Sequence, residues 1–325
     1  MRISTRGSLM LDSRQLAGET LIPVGTGADA EDVGVKQFSF RELTYQRFMR
    51  HPTAKWALLG LGILIVACYG APLWHLVFPN YIQAPDQFSL LDAGTGPSLR
   101  HLMGTDSYNG HDIFSLVLYG GRFSIFIGIG SMVVAVIIGV SWGATAGYFG
   151  HALDAVLMRV TDVFLTVPAL LLVPLAARVF GEASPWKIAL IFGLLSWPSI
   201  SRIVRSSFLS LREMQFAEAA RALGVPNRRI IFRHLLPNAV GPIVVAFTLG
   251  IANNIVLEAF VSFLGFGIQP PNYSWGSTLA GAQGVLVAGN WWWITFPGLA
   301  VVVTVLCINF IGDGLRDALD PKIIR

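Results

Sequence analysis

The chain has few charged residues for its length and only two cysteines. Charged side chains make up 13% of the 325 residues, whereas a soluble domain carries about 25%. Hydrophobic residues make up 54% of the chain. This balance predicts a protein that crosses a lipid bilayer several times. Cys68 and Cys307 both fall inside apolar runs, so the sequence supports neither a disulfide framework nor a cysteine metal site.

Sequence signatures of common catalytic sites are also missing. The chain has no phosphate-binding GxxxxGK[ST] loop, and no lysine directly follows a glycine. It has no HExxH zinc helix, no nucleophile elbow and no paired intramembrane carboxylates. We therefore expect no catalytic residues, no metal, no cofactor and no nucleic-acid partner. Any ATP hydrolysis that drives this protein must take place in another chain.

Six apolar runs are long enough to cross a hydrocarbon core of ~30 Å, which takes about 20 helical residues. They cover residues 56–78, 123–147, 155–177, 186–203, 239–263 and 291–311. The third run is less apolar because Arg159 and Asp162 lie in its first turns. We expect these two residues, three apart on one helix face, to form a local ion pair. The sequence thus predicts an all-α polytopic membrane protein with six transmembrane helices.

The distribution of Lys and Arg predicts the orientation of these spans. Basic residues are concentrated in residues 1–55, in the loop 202–233 and in the tail after Gly314, whereas the loop 265–290 has none. Loops rich in Lys and Arg remain on the cytoplasmic side. We therefore expect both termini and the loop 202–233 to be cytoplasmic.

The chain divides into four predicted segments. Residues 1–37 are polar and lack apolar periodicity, which predicts a mobile cytoplasmic tail. Residues 38–120 hold a first span, an external loop and a basic, aromatic stretch at 38–55, which is either an interfacial helix or a solvated linker. Residues 121–313 form a core of five spans with a cytoplasmic loop at 206–237. Residues 314–325 are a cytoplasmic tail.

The stretch 213–237, which we name the elbow, predicts two short helices joined at a bend. Phe216, Ala219, Ala220 and Leu223 follow the spacing of one helix face. Gly224 suits a left-handed residue that closes this helix.

The second helix of the elbow is predicted to begin at Pro226 and to stop at Pro237. Four arginines make the elbow basic, and Ala219 and Ala220 on an exposed apolar face would allow a partner to approach closely. The alternative is an amphipathic cytosolic loop with no partner.

A single carboxylate, Glu258, lies near the outer end of the fifth span with Asn254 close by. A charged side chain in hydrocarbon costs about 2.5–3.5 kcal/mol on insertion scales, so Glu258 is expected to face protein or water. Two interpretations stay open. Glu258 and Asn254 line a translocation path, or Glu258 anchors the turn at 262–267.

The elbow resembles the "EAA" loop of permease subunits of ABC importers. The matching residues are Glu218, Ala219, Ala220, Gly224, Leu236 and Pro237. In that family the loop is the coupling contact with the ATPase subunit, a helix that enters a groove. His234 stands where an aliphatic residue is usual, and the His-x-Leu-Pro-Asn ending at 234–238 resembles the dipeptide, oligopeptide and nickel branch.

Segments outside the elbow resemble the same branch. Gly104-Thr105-Asp106 and Gly110-His111-Asp112 are similar to its "GTD…GRD" stretch, with His111 in place of the usual arginine. Glu258, the turn at 262–267, Pro270-Pro271 and Ser274-Trp275-Gly276 are similar to "E…LSFLG…PP…SWG", and 312–322 to "GDxLRDxLDP". The motifs together cover residues 45–325. We expect two rigid outer loops to face a solute-binding protein through Gly104, Thr105, Asp106, Asp112, Pro270, Pro271 and Trp275.

The resemblance implies a type I ABC importer permease fold and a C-type subunit of a peptide importer. It also implies a bacterial or archaeal plasma (inner) membrane, a second B-type permease, two ATP-binding subunits and an extracytoplasmic solute-binding protein. The solute would be a di- or oligopeptide or a related small molecule. The competing hypothesis is an ion- or proton-coupled secondary transporter, for which Glu258 is the only serious intramembrane candidate.

Overall fold

The computed structural model describes residues 40–168, 172, 174–175, 184–284 and 289–319. Throughout these residues the regular structure is helical. The helices are α1 (Phe40–Arg50), α2 (Pro52–Tyr69), α3 (Ala71–Val77), α4 (Ile113–Phe149), α5 (His151–Thr166), α6 (Pro185–Leu211), α7 (Gln215–Ala222), α8 (Asn227–Phe263), α9 (Trp275–Gly281) and α10 (Trp292–Leu319). Within α8, Ile230–Leu235 is a π-helical segment.

Five of the described helices are long and apolar enough to cross a membrane: α2, α4, α6, α8 and α10. They correspond to five of the six predicted spans. The third predicted span, 155–177, begins in α5 but extends into residues outside the described part of the chain. The predicted tail 1–37 lies outside it as well.

The first span is interrupted, which corrects the prediction of one helix over 56–78. α2 ends at Tyr69, and α3 begins at Ala71 after Gly70. Before it, residues 40–50 form α1, whose Phe48 is buried in one cluster with Ala54 and Ala318. This stretch is therefore a packed helix rather than a solvated linker, and its position at the membrane interface stays a prediction.

Helices α4 and α6 pack closely along a ridge of glycines. A methyl group added at Gly139 would lie 2.8 Å from the Trp197 carbonyl oxygen, and one at Gly147 would lie 2.8 Å from that of Arg205. Both distances are too short for a real Cβ atom, so only glycine permits this approach. Such small-residue ridges drive helix association in lipid, where apolar burial contributes little.

Two arginine–aspartate pairs join α5 to α6. Arg205 contacts Asp154 through both Nε and Nη2, at 2.5 and 2.6 Å, a bidentate arrangement. Arg202 Nη2 lies 2.6 Å from Asp162 Oδ1. The predicted local pair of Asp162 with Arg159 is therefore wrong. The neighbouring helix supplies a better-placed guanidinium than the residue three positions away.

Candidate functional site

The bend of the elbow is a helix C-terminus closed by glycine. Gly224 has φ +72°, as the sequence predicts for a left-handed residue. Its N–H donates to the Arg221 carbonyl at 3.0 Å, and the Val225 N–H donates to the Ala220 carbonyl at 3.1 Å. These two bonds form a Schellman motif, which satisfies carbonyls that the end of α7 leaves free. A left-handed conformation strains any residue that carries a Cβ atom.

The second helix of the elbow does not stop at Pro237, which corrects the prediction. It begins at Asn227, directly after Pro226, and continues as α8 to Phe263. The π-helical segment Ile230–Leu235 precedes Pro237, and its altered bonding pattern lets the helix pass a residue that has no N–H. Asn238 Nδ2 donates to the His234 carbonyl at 2.6 Å. The last residue of the His-x-Leu-Pro-Asn motif therefore forms a hydrogen bond with the first, across the proline.

The exposed apolar face of α7 differs from the predicted one. Ala220 is buried and belongs to the core that contains Ile230 and Leu235. Ala219 is exposed, and so are Phe216 at 39% and Leu223 at 83%. Periodicity correctly predicted an amphipathic helix. It could not show that one side of the stripe packs against the second helix of the elbow.

The elbow also exposes charged side chains. Glu218, Arg228 and Arg229 are exposed. Arg221 donates through Nη2 to the Arg212 carbonyl, while Glu218 forms no ion pair with any described residue. Of the remaining motif residues, His234 and Leu236 are partly buried and Pro237 is exposed. The elbow therefore exposes both apolar and charged side chains, and most of the charged ones are basic.

Asp106 shapes the first outer loop from within. Its Oδ1 accepts hydrogen bonds from the backbone N–H groups of Tyr108, Asn109 and Gly110 at 2.9, 2.6 and 3.0 Å. Its Oδ2 lies 2.6 Å from His111 Nδ1. Burial favours the neutral carboxyl, but the hydrogen bonds from His111 and the backbone outweigh burial and lower the pKa of Asp106.

Asp112 caps α4 at the other end of this loop. Its Oδ1 accepts from the Ser115 N–H at 2.8 Å, and its Oδ2 lies 3.0 Å from His101 Nδ1. Thr105, Asp106 and Asp112 are 0%, 4% and 2% exposed. These aspartates hold the loop in shape and do not reach its surface.

The exposed residues of the two outer loops are mostly not the motif residues. Tyr108 is 55% exposed, and Pro270 and Pro271 are also exposed. Gly104 is buried, and Trp275 is fully buried and donates from Nε1 to the Val117 carbonyl at 2.9 Å. Of the seven residues expected to face a binding protein, the two prolines alone are exposed.

Glu258 lies in a closed polar cluster between α4, α8 and the start of α9. Its carboxylate accepts from Ser124 Oγ at 2.9 Å and from Ser262 Oγ at 2.6 Å, and it is fully buried. Ser124 Oγ also accepts the Trp275 N–H at 3.2 Å, and Ser262 Oγ accepts the Ile268 N–H at 3.2 Å. This geometry favours the anchoring interpretation of Glu258.

Asn254 occupies a second buried cluster one turn earlier. Its Nδ2 donates to Ser131 Oγ at 2.8 Å, and its Oδ1 accepts from Ser196 Oγ at 3.2 Å. The two serines belong to α4 and α6, so Asn254 joins three helices. Sequence reasoning missed Ser124, Ser131 and Ser196 as partners, because they lie 58–134 residues away along the chain.

Comparison with known proteins identifies the family. Residues 135–325 match the family model of the binding-protein-dependent transport system inner membrane component. A protein described as a peptide permease of Brucella suis is 40% identical over 278 residues, which cover 85% of this chain and 89% of that protein. The oligopeptide transport system permease protein OppC of Haemophilus influenzae is 37% identical over 277 residues, 85% of this chain and 87% of OppC.

The chain belongs to this permease family. It is therefore a multi-pass inner membrane component of an ABC importer. Its fold agrees with that assignment, since it is similar to an inward-facing structure of the MetNI methionine ABC transporter. The TM-score is 0.53 at 20% identity, with 63% of this chain and 96% of that one covered. The described residues thus form a type I ABC permease fold, and the comparisons give no support to a secondary transporter.

Within this permease fold, the anchoring interpretation makes a direct prediction for Glu258. Replacing it in Glu258→Ala leaves the hydroxyls of Ser124 and Ser262 without their acceptor, and each such buried group costs about 1–3 kcal/mol. We expect thermal unfolding of the purified complex to occur several degrees lower. Glu258→Gln keeps an acceptor and should lose less.

Exposed Glu218 provides the matched control, because Glu218→Ala removes the same side chain without leaving a buried partner. Thermal unfolding and uptake should be measured on the same preparations. If Glu258→Ala unfolded at the wild-type temperature yet lost uptake, Glu258 would line the translocation path instead.

Proposed function

We propose that this permease carries a di- or oligopeptide across the inner membrane in an ATP-driven importer. The observation that carries the proposal is its similarity, at 40% and 37% identity over 85% of the chain, to proteins described as peptide permeases. The elbow, α8 and the second outer loop lie within residues 135–325, the part of the chain that matches the family model. Solute selection is expected to rest largely with the solute-binding protein.

An ABC importer permease works with ATP-binding and solute-binding partners. We propose that this chain pairs with a second, B-type permease and that each permease contacts one ATP-binding subunit. ATP binding would bring the two ATP-binding subunits together and draw the two elbows with them. The permeases would then rock from an inward-open to an outward-open arrangement. The chemistry of ATP hydrolysis stays in the partners, because this chain has no phosphate-binding loop.

The elbow is the proposed coupling surface. Phe216, Ala219 and Leu223 form a narrow exposed apolar stripe on α7. A helix of this kind docks by inserting its apolar face into a groove. Exposed Arg228 and Arg229, at the start of the next helix of the elbow, favour a partner surface that carries acidic side chains. Four of the motif residues would then act mainly by holding the shape of the elbow: Ala220, Gly224, His234 and Leu236. Glu218 and Pro237 are exposed and are not assigned this role.

The proposed translocation surface lies on the exposed face of α8. Asn253, Val256 and Phe260 are exposed and follow helix spacing. A polar amide facing lipid in the middle of a span is unfavourable, so Asn253 is expected to face water or the second permease. The side chains of Asn254 and Glu258, on the opposite side of α8, are already hydrogen-bonded to other residues of this chain.

Energy coupling can be tested with the whole importer in proteoliposomes. With the solute-binding protein and a labelled dipeptide outside, ATP enclosed with the ATP-binding subunits should drive accumulation. A proton gradient imposed without ATP should not. Because the comparison uses one preparation, the energy source is the sole variable. Uptake driven by the gradient alone would support a secondary transporter and contradict the proposal.

The orientation can be tested with cysteine labelling. We propose that the elbow is cytoplasmic and the loop 265–290 external. In a background with Cys68→Ala and Cys307→Ala, an impermeant thiol reagent applied outside the inner membrane should label Asn272→Cys and spare Asn227→Cys. Both positions are exposed on the chain, and both should be labelled once the membrane is permeabilised. Labelling of Asn227→Cys alone in intact membranes would reverse the orientation.

The coupling surface predicts that Leu223→Glu weakens binding of the ATP-binding subunits at least about tenfold, because it places a charge in a buried contact. Gly224→Val should also uncouple transport, since a left-handed residue with a Cβ atom costs ~1–2 kcal/mol and a branched one more. Binding and uptake are measured at equal membrane expression.

The control for Leu223→Glu is Leu91→Glu, the same change at a 98% exposed leucine far along the chain from the elbow. Ala220→Leu serves a different purpose. Since Ala220 is buried, this change should lower the stability of the elbow rather than block the contact directly. Wild-type binding and uptake by both Leu223→Glu and Gly224→Val would show that the elbow does not couple transport to ATP.

A further inference from the structure

The two outer loops and the N-terminal end of α10 enclose a cleft of about 270 Å³. Tyr108, Tyr273 and Trp293 contribute aromatic rings to it, and Asp106 and His111 line the same space. The Tyr108 and Trp293 rings meet edge to face with centroids 5.6 Å apart, and the His111 and Tyr273 rings are 5.9 Å apart. The cleft is thus an aromatic enclosure with a carboxylate at its wall.

The wall of this cleft holds the Asp106 carboxylate, whose Oδ2 lies 2.6 Å from His111 Nδ1. Asp106 carries a lowered pKa and is therefore ionised at neutral pH. No lysine or arginine is among the described residues that line the cleft. The surrounding loop 79–112 has four aspartates and one arginine, and the loop 265–290 has no charged residue. Because both Asp106 oxygens already accept hydrogen bonds, its effect on an occupant is through charge rather than a direct bond.

One group in the cleft is left without a partner. Trp293 is 4% exposed, and its indole Nε1 has no hydrogen-bond acceptor in the described part of the chain. An indole N–H is a donor only, and leaving it buried and unpaired is unfavourable. This nitrogen is itself enclosed by the protein, so an occupant of the cleft would contact the Trp293 ring rather than its N–H.

We propose that this cleft receives one basic side chain, Arg or Lys, of the solute-binding protein. The aromatic rings and the ionised Asp106 favour a cation. The volume is below the roughly 300–1,000 Å³ of small-molecule sites, which favours a single side chain over a whole peptide. The proposal rests on the proposed function, since it requires a binding-protein-dependent importer in the orientation given above.

Two glutamines make a matched test of the sign of the occupant. Gln269 lines the cleft and donates from Nε2 to the Gly265 carbonyl at 2.8 Å. Gln283 donates from Nε2 to the Phe263 carbonyl at 2.7 Å and is not among the lining residues. The complete importer in nanodiscs is titrated with the purified solute-binding protein of the same system. Gln269→Lys, Gln269→Glu and Gln283→Lys are compared with the unchanged complex.

We expect Gln269→Lys to weaken binding roughly two- to thirty-fold, the range of one cation–aromatic contact. Gln269→Glu should bind as well as the unchanged complex or more tightly, and Gln283→Lys should have little effect. Tyr108→Ala should weaken binding, whereas Tyr81→Ala, at a similarly exposed tyrosine outside the cleft, should not. Tighter binding by Gln269→Lys would indicate an acidic occupant. Equal losses of binding in Gln269→Lys and Gln269→Glu would indicate a steric effect. Either result overturns the proposal.

The occupant itself is found with a double-mutant cycle. Each exposed Arg and Lys on the binding protein is changed to Gln and titrated against the unchanged importer and Gln269→Lys. One of these changes should abolish the effect of Gln269→Lys, and if none does, the cleft does not hold a basic side chain. Failure of the unchanged importer to bind the protein at all would instead contradict the proposed function. The two failures are thus distinguishable.

Discussion

The structure depends on pairing the buried side chains of Glu258 and Asn254 between the membrane-spanning helices. In hydrocarbon no water is present to take up an unused donor or acceptor. The chain meets this requirement for Glu258 with Ser124 and Ser262, and for Asn254 with Ser131 and Ser196. These contacts join α4, α6 and α8 and hold the start of α9. Glu258 and Asn254, which one interpretation of the sequence placed on a translocation path, here connect the helices of the bundle through hydrogen bonds.

The same requirement makes the unpaired groups informative. Asn253 on α8, the apolar stripe of α7 and the Trp293 indole N–H have no partner in the described chain that would satisfy them. Each lies at a different level: the middle of a span, the elbow and the outer ends of the helices. In the proposed importer this subunit contacts a second permease, an ATP-binding subunit and a solute-binding protein. One of these three surfaces is proposed for each partner.

Local features of the fold could be predicted from the sequence, whereas features that depend on tertiary contacts could not. Five of the spans, and the left-handed conformation of Gly224, follow from apolar length and from the geometry that glycine alone adopts without strain. The burial of Ala220, the pairing of Asp162 with Arg202 and the burial of Trp275 depend on helices distant in sequence. The prediction that the helix stops at Pro237 was wrong. A proline normally ends a helix, and the π-helical segment before this one has no simple sequence signal.

The continuity of α8 past Pro237 changes how coupling would work. One helix of 37 residues, ~55 Å long at 1.5 Å per residue, runs from the elbow to Phe263. Near its outer end Glu258 ties it to α4 and, through Ser124, to the start of α9. Displacing the elbow would therefore move a continuous helix whose other end contacts α4 and, through Ser124, the start of α9. The π-helical segment at 230–235 and Pro242 are positions where this helix can bend. Had the helix stopped at Pro237, a break in the chain's regular structure would separate the proposed coupling contact from the span; instead, one helix connects them.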